Sequence, residues 1–272
     1  MALLSLRIGL PWWRRAAFLD EIVHFEGRFE THPVGPDWLR NLVGEHAMRG
    51  FDEVVSIDVD GTQIDDSQFS KVNSFPELES LDIAYTEVGD AGLSYLDGMS
   101  RLQSIRMFGS QAGDAGLAHL KKLPALQNIV GGYTNISDAG LVYAGQMTQL
   151  DYLGVMGNDV SDEGLAHLAD LTNLTGLFLG ETHVTDAGLR HLKRMTRLKR
   201  LWLYDTLVTA TGIAEIAELP NLTQLVISPD QITADGLDDL KRRHPKLDIV
   251  VTTADRDHSG HSMRQRHRRT KR

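Results

Sequence analysis

Residues 174–197 read LTGLFLGETHVTDAGLRHLKRMTR, and this pattern can be laid along the chain eight times at 24-residue steps without a gap. Its glycine column runs Gly92, Gly116, Gly140, Gly164, Gly188, Gly212 and Gly236, with Gln68 in a degenerate first copy. One apolar column is Val54, Leu78, Leu102, Leu126, Leu150, Leu174, Leu198 and Leu222. Three residues on come Ile57, Leu81, Ile105, Ile129, Leu153, Leu177, Leu201 and Leu225. Two further on come Val59, Ile83, Met107, Gly131, Val155, Leu179, Leu203 and Ile227. Self-similarity at a fixed short period is the signature of a solenoid.

Each repeat has a physical reading. The period-2 pair, such as Leu201 and Leu203, predicts a short strand with those side chains turned inward. The column Thr62, Thr86, Ser110, Thr134, Asn158, Thr182, Thr206 and Asp230 supplies short polar side chains for a turning backbone that lacks ladder partners. Ser137, Ser161, Thr185, Thr209 and Thr233 stand where a helix N-cap belongs. Asp66, Asp90, Asp114, Asp138, Asp162 and Asp186 follow and place negative charge at helix N-termini. Leu189 and Leu192, like Leu165 and Leu168 or Leu117 and Leu120, have the spacing of a buried helical face. Glycine in a helix costs about 1 kcal/mol relative to alanine, so its column implies a tight approach to a neighbouring repeat. Such a unit cannot bury its apolar face alone. The expected fold is an α/β solenoid, a right-handed horseshoe with a parallel sheet on the concave face and short helices outside.

The run from Leu174 to Met195 resembles the ribonuclease-inhibitor-like and F-box-associated leucine-rich repeats, whose helices often open with threonine, aspartate, alanine, glycine and leucine. It looks most like the large bacterial sets of planctomycete-type genomes. The resemblance spans Val54 to Val251 and implies a leucine-rich-repeat fold with protein-binding capacity and no catalytic residue. The chain departs from the eukaryotic F-box group in lacking a cysteine column, and Leu10–Pro11 is too little for an F-box. Many of the bacterial relatives carry an N-terminal membrane anchor.

The chain divides on this reading into four parts. Residues 1–34 hold an amphipathic helix built on Phe18, Leu19, Ile22, Val23 and Phe25 and ended by Gly27, read as a cap or packing element. Residues 35–53 form a helical cap in which Pro36, Trp38, Leu39, Leu42 and Val43 are closed by Gly44. The repeats occupy 54–251. Their last strand carries Leu247, Ile249 and Val251, one residue out of register because 242–245 add a residue. Residues 252–272 form a basic tail whose composition predicts no packed structure.

Composition narrows the function classes. The chain has no cysteine, which excludes disulfides and thiolate–metal sites and fits a cytoplasmic setting. The net charge is −9, yet the last 18 residues contribute +5, which leaves −14 on the remainder. That acidic body argues against nucleic acid on the main domain. The apolar start, Met1 to Trp13, is broken by Arg7 and Pro11 and falls short of the roughly 20 apolar residues of a spanning helix. A weak membrane-surface contact through Leu3, Leu4, Leu6, Trp12 and Trp13, beside Arg14 and Arg15, is the less favoured reading.

No phosphate loop, nucleophile elbow or zinc-protease motif occurs, so neither an enzyme nor a cofactor is expected. His119, His167 and His191 share a helical column. Packed helices lie about 8–10 Å apart, too far for zinc ligands, and surface histidines are the reading. Asp58, Asp60 and Asp82 should gather on the inner face of the first strands as a solvated acidic patch able to meet a basic partner. The expected function is non-catalytic binding of a protein partner by a monomeric arc, through side chains between the buried leucines. Those are Phe108, Tyr152, Met156, Phe178, Arg200, Trp202 and Tyr204, with Tyr85 and Tyr133 just beyond the strand ends. Large apolar groups exposed together mark interaction sites. The alternative is a structural or adaptor subunit, with an F-box-like substrate-recognition role, acting through its termini.

Overall fold

The computed structural model describes residues 12–34, 37–44, 48 and 51–252. Its order is α1 (Trp12–His24), β1 (Arg28–His32), α2 (Asp37–Val43) and β2 (Glu53–Asp58), followed by strictly alternating short helices and strands. These are α3 (Asp66–Phe69), β3 (Ser80–Asp82), α4 (Asp90–Ser94), β4 (Ser104–Arg106), α5 (Asp114–Leu120) and β5 (Asn128–Val130). Then come α6 (Asp138–Ala144), β6 (Tyr152–Gly154), α7 (Asp162–His167), β7 (Gly176–Phe178), α8 (Asp186–Leu189) and β8 (Arg200–Trp202). The series closes with α9 (Ala210–Ile216), β9 (Gln224–Ile227), α10 (Ala234–Arg243) and β10 (Asp248–Val251). All ten strands form one sheet in sequence order. From β2 to β10 every pairing is parallel, with partners such as Leu81 and Ile105 or Leu177 and Leu201 one repeat apart. The leucine columns fill a continuous core between sheet and helices.

The aspartate and glycine columns turn out to be one device. Each aspartate carboxylate reaches across to the next repeat. Asp162 Oδ1 accepts from the Thr185 backbone N–H at 2.8 Å and its Oδ2 accepts from the Thr185 hydroxyl at 2.6 Å. Asp114 and Asp138 hold Ser137 and Ser161 in the same way, and Asp186 holds Thr209. Where the cap is glycine, Asp66 accepts from Gly89 and Gly92 N–H at 2.7 and 2.9 Å, and Asp90 from Gly113 and Gly116 at 2.6 and 2.8 Å. A Cβ at Gly116 would sit 2.8 Å from Asp90 Oδ1 and 2.5 Å from Leu93 Cδ1. At Gly140, Gly164, Gly188 and Gly212 the preceding aspartate would be closer still. Glycine is therefore the residue that leaves room for the neighbour's carboxylate. The same cap hydroxyls also accept from their own helices, Thr185 from Ala187 N–H at 3.1 Å.

The polar turn column works as expected in half of the repeats: Thr86, Thr134, Thr182 and Thr206 donate to carbonyls three residues back at 2.6–2.8 Å. In the eighth repeat the work passes from Asp230, which is exposed, to buried Gln231. Gln231 Nε2 donates to Leu203 O at 2.9 Å and Oε1 accepts from Ser228 N–H at 2.7 Å.

The ends differ from expectation in three ways. First, the edge of the sheet is covered by a strand absent from the sequence reading: β1 pairs antiparallel with β2, Phe29 opposite Ile57. Second, the two N-terminal helices share the capping unequally: α1 roofs the first repeat as its amphipathic pattern predicts, burying Phe18, Leu19 and Ile22 and setting Phe18 6.0 Å from Phe75. Arg15 lies over the Phe75 ring and pairs with buried Glu77. In α2, by contrast, Trp38 and Leu42 are 66% and 75% exposed. Third, β10 is in register after all: Ile249 pairs with Leu225 and Val251 with Ile227, a full 24-residue step. The added residue is absorbed before the strand, where Leu247 rather than residue 246 takes the buried place, while Val251 is exposed. Residues 253–272, including the tail, lie outside the described residues, as do Met1–Pro11.

Candidate functional site

The short strands present three side-chain rows to the concave face. All nine expected binding residues lie there, in two aromatic runs. Tyr85, Phe108 and Tyr133 form one, with successive ring centroids 5.4 and 5.1 Å apart. Tyr152, Phe178, Trp202 and Tyr204 form the other, with centroids 4.3, 4.0 and 6.4 Å apart. Met156 links the runs, accepting from the Tyr204 hydroxyl at 3.4 Å. Arg200 stands over the Tyr152 ring at 5.1 Å.

The expectation that these groups are exposed together needs correction. Phe108, Met156, Phe178 and Tyr204 are buried, at 3–6% exposure. Phe108, Met156 and Phe178 form a second apolar cluster with Ala84, on which half-buried Tyr85, Val130, Tyr133, Tyr152 and Trp202 pack, and Tyr204 adjoins it through its hydroxyl on Met156. Of the nine, Arg200 is the one exposed side chain. The burial has a cause that the leucine columns do not reveal. Large and small residues alternate along the concave row Ala84, Phe108, Gly132, Met156, Gly180, Tyr204 and Ser228, so each large side chain lies across a small neighbour. A Cβ at Gly132 would meet Phe108 at 2.7 Å and Met156 at 2.8 Å, and one at Gly180 would meet Tyr204 at 2.5 Å. Gly176 lies equally close under Tyr152, and Gly157 under Tyr133.

Backbone strain serves the same layer. The position after this row is left-handed in repeat after repeat: Gly61, Tyr85, Gly109, Tyr133, Gly157, Glu181 and Asp205 all have φ between 51° and 72°. Four of these are not glycine, and each costs roughly 1–2 kcal/mol in that conformation. Tyr85 and Tyr133 there lay their rings over Gly109 and Gly157. Glu181 accepts the Tyr133 hydroxyl, a role the sequence reading did not assign. Strained non-glycine residues cluster at functional sites.

Electrostatics adds detail. Burial pushes the Tyr152 phenol up to about 12 against the opposing charge of Arg200. Burial, then Glu181 and Asp205, raise Tyr204. Both hydroxyls thus stay protonated near neutral pH. The acidic patch also needs correction, because Arg106 sits within it. Its Nη1 lies 2.7 Å from Asp82 and 3.4 Å from Asp60. Burial holds the Asp82 carboxyl above the usual range, opposed by the Ala84 N–H and by Arg106. Among the histidines, His119 pairs with Asp97 at 3.1 Å, and no group able to hold a metal ion occurs among the described residues. Nor is any described helix long and apolar enough to cross a membrane.

No family model matches the chain, and no curated protein matches it in sequence. Solved structures do. Internalin C2 of Listeria monocytogenes is 21% identical, with a TM-score of 0.57, over 73% of this chain and 81% of that one. Internalin F of the same organism is 22% identical, with a TM-score of 0.53, over 74% of this chain and 62% of that one. The fold is a leucine-rich-repeat solenoid. At such identities the likeness establishes the architecture alone.

Proposed function

We propose that this leucine-rich-repeat arc is a non-catalytic module that binds a partner protein on its concave face. The partner would rest on Tyr85, Tyr133, Tyr152, Arg200 and Trp202, with buried Phe108, Met156, Phe178 and Tyr204 holding the surface from beneath. The observation that carries this reading is the aromatic layer itself. It is separate from the leucine core and is held in place at the cost of left-handed tyrosines. Its outer edge offers the rim of Trp202 and the Arg200 guanidinium. Tryptophan, tyrosine and arginine dominate binding hot spots. Side chains already fixed by their neighbours lose little freedom on binding.

The test begins with affinity capture by the intact chain, followed by titration of the purified partner. Trp202→Ala should weaken binding by about 2 kcal/mol, roughly 30-fold. Lys193→Ala, on an exposed side chain paired with Glu215 at 3.1 Å on the helical side, should leave affinity unchanged. Equal affinity for parent and both variants would move the interface off the concave face.

A further inference from the structure

The turn of the eighth repeat departs from those before it, and the departure starts at one residue. The left-handed column that ends with Glu181 and Asp205 continues 24 residues on at Pro229. Its ring fixes φ near −65°, so the eighth turn takes another course. In earlier repeats this turn is tied sideways through its backbone. Gln111 N–H donates to Val88 O at 3.0 Å, His183 N–H to Val160 O at 2.8 Å and Leu207 N–H to Val184 O at 2.9 Å. The matching Gln231 N–H donates instead to Ser228 O of its own repeat, at 3.2 Å. Among the described residues, no backbone N–H takes its place at Val208 O.

A groove opens where that tie is lost. It has a volume of about 370 Å³ and is walled by residues 206–210 on one side and 230–233 on the other. That is the lower end of the roughly 300–1,000 Å³ found for small-ligand sites. Leu207, Val208 and Ile232 give it apolar lining, and Ala210 and Thr233 also line it. One repeat earlier, the same two places hold Asp186 and Thr209. There the carboxylate accepts from the Thr209 N–H at 2.8 Å and from its hydroxyl at 2.6 Å. Asp162 treats Thr185 in the same way. Thr233 presents the same N–H and hydroxyl, but its counterpart across the groove is a methyl group. The charged residue of the lining, Asp230, is exposed.

We propose that this groove binds an acidic peptide, seating one aspartate carboxylate on the N–H and hydroxyl of Thr233. The chain itself makes this contact in the repeats before, and the cavity makes it available to a ligand in the eighth. The aspartate methylene rests on Val208 and Ile232. The open Val208 carbonyl takes a backbone N–H from the peptide, which a simple carboxylic acid does not have. The site lies between β8 and α9 and between β9 and α10, and it stands independently of the aromatic layer.

The probe is aspartate capped as its N-acetyl N-methylamide, titrated into the ¹⁵N-labelled full chain. The Thr233 amide resonance should move downfield and saturate. The equally capped asparagine should bind roughly tenfold more weakly, because a hydrogen bond to a charged acceptor is the stronger one. Acetate should also bind more weakly than capped aspartate. Ala210→Asp restores the residue found at this position in six other repeats. In that variant the Thr233 amide should already be shifted without ligand, and the probe should no longer move it. Asp230→Asn should tighten binding of the probe, most clearly at low salt. A Thr233 amide that does not saturate overturns the proposal, as does equal binding of the asparagine probe or undiminished binding to the Ala210→Asp variant. Acetate binding as tightly as capped aspartate would make the groove a site for any small carboxylate and overturn the assignment to a peptide.

Discussion

Six repeats are clamped to their successors and the last two are not. From Asp66 to Asp186 each helix opens with a carboxylate that grips the next repeat. In α9 and α10 that position is Ala210 and Ala234. Gly236 accordingly has no carboxylate above it; a Cβ there would meet only Ile232 and Thr233 of its own repeat, at 3.2 Å. The C-terminal repeat is tied by other means: Gln231 reaches back to Leu203 O at 2.9 Å, Ser228 donates to Asp205 at 2.7 Å, and further ties lie within its own helix. Its helix has ten residues, and Asp239 takes Arg243 at 2.9 Å and Arg242 at 3.2 Å. The glycine column thus looks uniform in sequence but has two physical meanings, obligatory under an aspartate and optional without one.

That contrast can be broken by mutation. The largest effect should come from Gly188→Val, which drives a branched side chain into Asp162 and Leu165. Overpacking generally costs about 1–3 kcal/mol, and loss of charge-assisted hydrogen bonds adds more, so about 3 kcal/mol is expected. Denaturant titration measures it; a variant as stable as the parent would refute the steric account.

Asp162→Ala should cost about 2 kcal/mol through two lost hydrogen bonds to Thr185. It should also make Gly188→Ala far cheaper, because the obstructing carboxylate is gone. The double-mutant cycle should show coupling of at least about 1 kcal/mol. Additive losses would mean that aspartate and glycine act independently.

The smallest effect belongs to Gly236→Ala. Helix propensity favours alanine by about 1 kcal/mol, and the close Ile232 and Thr233 atoms take some of that back. A result between no change and a gain of about 1 kcal/mol is expected by thermal melting. A loss like that of Gly188→Ala would erase the distinction.

The sequence made the repeat legible because every copy reports the same burial. It concealed whatever depends on two copies at once. Asp162 reads as a helix-dipole partner when its own helix is considered; its acceptor role appears only when residue 185 is brought alongside. The strand β1, RFETH, shows one apolar residue in five and is specified by the edge it covers rather than by its own pattern. For the binding face, the strand alternation placed Phe178 and Tyr204 on the right side but could not report their burial. The usable signal was Gly132, Gly176 and Gly180 in the neighbouring repeats, since a missing side chain on an open face invites the next one to lie down.

The alternation of large and small gives the concave surface a different period from the core. The leucines repeat every 24 residues, but Phe108, Met156 and Tyr204 repeat every 48, as do Tyr85, Tyr133 and Glu181. Excising one repeat would leave the sheet and core in step yet bring two large side chains together on the inner surface, or two glycines. Removing a pair would preserve both. The smallest unit by which this row can be lengthened or shortened without breaking its alternation is therefore two repeats.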